Sequence, residues 1–375
     1  MTKPNLKGLT LNELEDFALS VGEKRFRGAQ LFDWLYAKEA SSFDEMSSLS
    51  KPLREKLASV ACIDSLKLVE EQSSHRDGTT KFLFELSDGK RIESVLIPPR
   101  TAFDEQKRLT LCVSTQVGCA LDCKFCATAS MGILRNLTAG EIVDQVLHSQ
   151  RISKKKITNL VYMGMGEPLM NYEPVMNSVD IISTGMDIAP RRITISTAGW
   201  APKIRRMADE GRKVKLAVSL HSLDHNARSE LMPINRKFPL PELLDSVQYY
   251  YRKMKSRVTF EYILFDGWND RDEDIALLAS LSRKIPCKVN IIPFHGIDFT
   301  HPTGISARLQ PTPPKRMAEF VAKLRKAHVT VFVRSSAGDD IDAACGQLAV
   351  RVERARKTSV GTAHLQSPVA NRRSA

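Results

Sequence analysis

Cys119, Cys123 and Cys126 fall within GCALDCKFCATASMG, residues 118–132, and are three of seven cysteines in 375 residues. A thiolate is a soft ligand, so three in one short stretch point to a metal centre. Structural zinc takes four ligands, usually as two separated pairs. Here no second CxxC pair exists, and no histidine lies close in sequence. Three thiolates suit a four-iron, four-sulfur cube with three irons held by protein and one open. An open iron can bind a small molecule and pass it an electron. The bland alternative is a chance group of buried cysteines behaving as small hydrophobes.

A carboxylate invites the next question. TTKFLFELSDGKRIESVLIPP, residues 79–99, reads as a β-hairpin around Asp88-Gly89. A two-residue turn there pairs Phe84 with Glu93 and Phe82 with Val95. Glu93 then shares a face with Phe82, Phe84, Val95 and Ile97. Burial would raise its pKa and fit it for proton transfer. An edge glutamate that reaches solvent is the plainer reading.

The elements that must position these groups follow from periodicity. Before residue 65 the pattern is helical. Thr10-Leu11-Asn12-Glu13 has capping-box spacing, GEKRFRGAQLFDWLYAKEA offers Phe26, Leu31, Trp34 and Leu35 to one face, and Ser50 precedes KPLREKLASV. From about residue 108, short apolar strands alternate with amphipathic segments. The strands are LTLCVS, NLVYMGM, RRITIST, VKLAVSLH, RVTFEYILF, CKVNIIPF and VTVFVRS. Repeated β-then-α units predict an α/β fold with a parallel sheet, a full or partial β/α barrel of about six units. Functional residues then belong at the C-terminal ends of strands, where Gly166, Glu167, Ser196, His221 and His295 stand. The expected organisation is a helical module over 1–65, a connecting β-hairpin over 66–107, the barrel over 108–350 and a basic, disordered tail over 351–375.

The chain carries a formal net charge of +12, with clusters at Lys24, Arg25 and Arg27, at Lys154 to Lys156, at Arg191 and Arg192, at Arg205 and Arg206, and at Arg212, Lys213 and Lys215. Together they favour a polyanion partner modestly, although each alone suits a solvated surface. No run of eighteen apolar residues exists, so no membrane span is expected. The start, MTKPNLKGLTLNELEDF, has no apolar core of a signal peptide. A cytoplasmic protein is expected, where clustered thiols mean metal or catalysis rather than disulfides.

CxxxCxxC after a first β-strand resembles the radical S-adenosylmethionine (SAM) superfamily. LCVSTQVGCALDCKFCATASMG, YMGMGEPLMNY, RRITISTAG, AVSLHS, MPIN and GDDIDAACGQL resemble, in that order, the RlmN family of RNA adenine C2 methyltransferases. The match runs from the N-terminal helices to about residue 350. The resemblance implies a radical SAM partial (β/α)6 barrel with one [4Fe-4S] cluster held by Cys119, Cys123 and Cys126. It implies SAM contacts from Gly166, Glu167, Ser196, Ser219, Leu220, His221 and His295, although His295 stands where the family pattern leads one to expect asparagine. It makes Cys345 the methyl carrier, Cys112 the resolving thiol that closes a transient disulfide with it, and Glu93 the proton acceptor. Cys62 and Cys287 match no motif and read as structural.

The implied reaction suits this machinery. C2 of adenine has no lone pair and cannot attack a sulfonium methyl, so a covalent relay is needed. Two SAM molecules are used per turnover: one methylates Cys345, and reductive cleavage of the other yields the radical that activates the S-methyl group. The implied partners are 23S rRNA, tRNA and an electron donor of the flavodoxin or ferredoxin kind, acting on a monomer. The rivals are a C8 adenosine methyltransferase of the related antibiotic-resistance type and a non-catalytic RNA-binding protein with structural zinc.

Overall fold

The computed structural model describes residues 3–63, 66–99, 108–334 and 336–348. The loop PRTAFDEQK, over which the family alignment is loosest, lies almost wholly outside the described residues, as does the 351–375 tail.

Three helices open the chain: α1 (Leu11–Ser20), α2 (Phe26–Phe32) and α3 (Lys51–Val60). The capping box forms as expected: the Thr10 hydroxyl accepts from the Glu13 amide, and the Glu13 carboxylate accepts from the Thr10 amide. Leu31 and Leu35 are buried, but Phe26 is 51% exposed and sits beside the Arg27 guanidinium instead of facing the core.

A ten-stranded sheet follows. Its order is β1 (Lys67–Ser73), β2 (Thr80–Glu85), β3 (Arg91–Ile97), β4 (Thr110–Cys112), β7 (Asn159–Tyr162), β8 (Ile193–Thr197), β9 (Lys215–Ser219), β10 (Val258–Leu264), β11 (Cys287–Pro293) and β12 (Val331–Val333). Every pair from β4 to β12 is parallel. The crossovers hold α4 (Ala139–Ser153), α5 (Tyr172–Gly185), α6 (Ala201–Asp209), α7 (His225–Leu231) with α8 (Ile234–Lys237) and α9 (Leu240–Met254), α10 (Asp272–Lys284) and α11 (Pro314–Lys326). Six β/α units and a last strand therefore form an open barrel, as the alternating pattern predicts. The strands are apolar because both faces are covered. Leu160, Ile195, Leu216, Phe260 and Val289 all lie in the core.

Two differences from expectation stand out. First, the hairpin does not merely connect two domains: β3 pairs antiparallel with β4, and the unexpected strand β1 adds an outer edge, so 67–97 extends the barrel sheet. Second, the hairpin register is one residue away from the two-residue turn. Leu86 bonds Lys90 across a three-residue loop, Ser87-Asp88-Gly89, so Leu83 faces Glu93 and Phe84 faces Ile92. A one-residue slip exchanges faces. Phe82 and Phe84 thus turn away from Glu93, which shares its face with Lys81, Leu83, Val95 and Ile97.

A separate two-stranded ribbon, β5 (Gln116–Gly118) with β6 (Ile133–Asn136), brackets the cysteine loop. Gly118 has φ of 78°, and a Cβ there would lie 1.8 Å from the Gly132 carbonyl oxygen. Only glycine lets this ribbon close. The helical module is locked onto α4 by close packing and a buried ion pair. A Cβ on Gly8 would lie 2.4 Å from the Gly140 amide. Lys7 Nζ meets Asp144 Oδ1 at 2.6 Å, with both side chains nearly inaccessible, and Asp144 also accepts from the Leu66 amide.

Candidate active site

The C-terminal ends of the strands converge on a cavity of about 840 Å³, its open mouth included. Cys119, Cys123 and Cys126 line one wall. Their loop is pinned from three sides: Cys119 N–H donates to Gly132 O, Lys124 N–H to Leu231 O, and Ala127 N–H to Gly346 O at 3.0, 2.9 and 2.6 Å. Burial pushes the Cys119 thiol up to about 12 and the Cys123 thiol well above the usual range, and the neighbouring cysteines add to both. Such thiols stay protonated unless cations replace the protons.

The donor set is three thiols on one cavity wall. Three protein thiolates are the ligand number that a four-iron, four-sulfur cube with one open iron requires.

Across the cavity, Gly166 and Glu167 follow β7, Ser196 lies in β8, Ser219 ends β9 and His221 follows it; all five line the space. Glu167 is 3% exposed. One carboxylate oxygen accepts from the Ala198 amide at 2.7 Å and the other from the Leu169 amide at 3.0 Å. Burial raises its pKa to about 6, with these hydrogen bonds opposing. His221 occupies the left-handed region, its Nδ1 accepts from the Ile263 amide at 3.0 Å, and its ring meets Phe125 edge-on. Burial lowers its pKa to about 3, so it stays neutral. Leu220 points away into the main core and contributes only backbone here. His295 is also set apart: it lines an adjoining cavity and hydrogen bonds Ser336 Oγ.

That second cavity, about 750 Å³, brings Cys112 and Cys345 together although they lie far apart in sequence. Burial pushes Cys112 up to about 12, and the charge of Cys345 adds to this. Cys345 is an exposed residue, yet burial raises its thiol too, because the space it faces is the two cavities. Arg334 lines both cavities and opposes that rise. Its guanidinium is anchored by Glu261 at 3.4 Å and by the Met163 sulfur at 3.5 Å. Glu93 is 4% exposed and on the Val95–Ile97 face of β3, which borders this cavity. Lys81 Nζ stands 3.6 Å from Glu93 and donates to the Asp342 carbonyl at 3.4 Å, tying the acid to the segment that leads into Cys345.

Glu261, Arg334 and Lys81 are site residues that sequence reasoning missed. A signal existed for Glu261, a carboxylate inside the otherwise apolar strand VTFEYIL. The basic clusters also change meaning. Arg205 pairs with Asp245, Arg206 with Glu173 and Glu210, Arg212 with Asp180 and Glu210, Arg25 with Glu15 and Lys156 with Asp187. Lys154 to Lys156 also follow the C-terminus of α4, at the barrel end opposite the cavity. By contrast, Arg236 and Lys237, after β9, make no ion pair among the described residues, and Lys237 covers the Trp200 and Phe238 rings.

Residues 4–63 match the family model "Ribosomal RNA large subunit methyltransferase N-terminal domain", and residues 113–279 match "Radical SAM superfamily". A probable dual-specificity RNA methyltransferase RlmN of Flavobacterium psychrophilum is 44% identical over 92% of this chain and 98% of that protein. Its counterpart in Geobacillus thermodenitrificans is 43% identical over 95% of each chain. The crystal structure of a radical SAM methyltransferase from Sphaerobacter thermophilus superposes with a TM-score of 0.83, at 43% identity, over 92% of this chain and 98% of that one.

Proposed function

The chain belongs to the RlmN family of dual-specificity RNA methyltransferases, and from that premise we propose that it methylates C2 of an adenosine in 23S rRNA and in tRNA through a methyl-cysteine intermediate. The observation that carries this reading is the meeting of Cys112 and Cys345 in a cavity that adjoins the three-thiol wall. Cys119, Cys123 and Cys126 would hold one [4Fe-4S] cluster, which would supply the electron for reductive cleavage of SAM. Gly166, Glu167, Ser196, Ser219 and His221 form the SAM pocket. There the ionised Glu167 carboxylate accepts from the SAM ammonium.

Cys345 takes a methyl group from the first of two SAM molecules, which leaves as S-adenosylhomocysteine; one hydrogen atom of that methyl would pass to the 5′-carbon of the fragment cleaved from the second SAM, and its carbon would then bond adenine C2, the odd electron being given up as C2 loses its proton. Arg334 favours the Cys345 thiolate needed for that displacement. Glu93, which Lys81 ties to the segment leading into Cys345, accepts the C2 proton. The Cys112 thiolate then attacks the Cys345 sulfur and breaks its bond to carbon; the electron pair passes into the adenine ring, a proton completes the methyl group, and the disulfide left behind is reopened by a thiol reductant. The ring of Trp200, two residues after the cavity-lining Ala198, and the Phe238 ring beside it, with Lys237 over both, are the candidate platform for an adenosine unstacked from folded RNA. The 1–65 module grips phosphates beyond it, and the 66–107 segment joins the module to the 108–350 barrel. No helix among the described residues is long and apolar enough to cross a membrane, and the enzyme works as a cytoplasmic monomer with a flavodoxin- or ferredoxin-type donor.

Mass spectrometry of rRNA and tRNA from cells lacking and re-expressing this protein tests the reading. Restored 2-methyladenosine is expected; 8-methyladenosine in its place overturns it.

A further inference from the structure

Arg228 is the largest fully buried side chain of the described residues, at 0% exposure. It lies in α7, and its guanidinium makes four hydrogen bonds: Nε to Leu220 O, Nη1 to Asn235 Oδ1, and Nη2 to Ala198 O and Ser219 O, at 3.1, 2.8, 2.7 and 3.1 Å. All four acceptors are neutral. Among the described residues, no carboxylate forms an ion pair with it. A buried cation without a counter-charge costs several kcal/mol, so the chain has reason to keep one only where negative charge resides.

The surroundings say where that charge is. Ala198 and Ser219, whose carbonyls Arg228 binds, line the same cavity as Cys123. The last residue of α7, Leu231, accepts from the Lys124 amide at 2.9 Å, which ties this helix to the cysteine loop. Burial lowers the Arg228 guanidinium to about 10, still protonated at neutral pH, and Cys123 as a thiolate opposes that fall.

We propose that Arg228 is a positioning residue for charge: a fixed cation that offsets the negative charge of the thiolate-ligated cluster and raises its reduction potential. The inference rests on the cluster reading above. Three thiolates on a four-iron, four-sulfur core of charge +2 leave net −1, and one electron from a low-potential one-electron donor makes it −2. A nearby cation stabilises the second state more than the first, and net charge is among the factors that set such potentials. The guanidinium cannot lose its proton in the working range, so the offset is permanent.

Redox titration of the reconstituted protein, followed by electron paramagnetic resonance without RNA, tests this. Arg228→Gln removes the charge. Asn235→Asp leaves the arginine in place and sets a carboxylate against Nη1. Both are expected to titrate at a more negative midpoint than wild type, whereas Arg228→Lys, which loses most of the hydrogen bonds but keeps the charge, stays near it. Gln and Asp variants that hold full iron and titrate with wild type overturn the proposal. If neither retains iron while the lysine variant does, the cation is needed to keep the anionic cluster, which supports it. If all three lose iron alike, the hydrogen bonds alone matter and the proposal fails. Wild-type protein that forms no iron–sulfur cluster sinks the functional reading instead.

Discussion

Cys112 and Cys345 are both raised thiols, so neither is a ready thiolate at neutral pH. In the proposed relay Arg334, which opposes the rise of the Cys345 thiol, helps that residue react, and Cys112 attacks after it. Replacing Cys112 by Ala removes the nucleophile that frees the base. Protein–RNA adduct is then expected to accumulate as a covalent species, visible by denaturing gel and intact mass, while free 2-methyladenosine is lost. His221 makes a separate prediction about acid. Its folded pKa is lowered to about 3 by burial, against 6.5 for the free side chain. Unfolded chains therefore bind a proton that the folded state refuses. Stability is full above pH 6.5 and falls with pH below it, by up to about 1.4 kcal/mol per unit from this group. Glu167, raised to about 6, works in the opposite sense between 4.5 and 6. Asn tolerates the left-handed backbone at 221 and can accept the Ile263 amide bond. Urea melts at pH 7, 6 and 5 are expected to show a flatter pH dependence for His221→Asn than for wild type.

At the scale of elements, one side chain of α4 stitches two strands. Gln145 Oε1 accepts from Ser94 Oγ in β3 and from the Ser114 amide after β4, while its Nε2 donates to Ser114 O. Ser114 Oγ in turn donates to the Glu93 carbonyl and accepts from the Met165 amide. All of it is dry: Gln145, Ser94 and Ser114 are fully buried. Gln145→Leu orphans both serines and is expected to cost on the order of 3 kcal/mol, read as a drop in thermal midpoint. It should also slow release of product RNA by displacing Glu93. Sequence pattern reached much of this level. The seven parallel strands, the Thr10 cap and the strand-end placement of Glu167, Ser196 and His221 follow from apolar periodicity, which is a local signal. The register of Glu93 did not follow, because Asp88-Gly89 fits a two-residue turn and the end of a three-residue loop equally well. Strand β1, KLVEEQS, escaped because its residues are mostly exposed and so do not alternate. The Gln145 network and Lys81 join residues distant in sequence, and no spacing rule reveals such pairs.

At the scale of the molecule, part of the basic surface is committed to ion pairs within the helical layer. Arg205, Arg206 and Arg212 hold helices to one another through carboxylates, so their contribution to RNA affinity is small. Arg236 and Lys237 are free of such pairs among the described residues, and Lys237 covers the ring of Trp200, two residues after the cavity-lining Ala198. Removing both by Ala is expected to lower affinity for RNA and to reduce the salt slope of binding by about two, whereas Arg206→Ala leaves that slope nearly unchanged; filter binding over a salt series measures it. One helix also sets a dimension. Gly140 and Asp144 of α4 clasp the N-terminal module, and the next residue, Gln145, holds the strand of Glu93. The two attachments are a single step apart on a rigid rod. If the module seats RNA as proposed, it is the fixed jaw of a caliper: the RNA has one nucleotide measured off to the acid, and selection among adenosines becomes a matter of length and shape.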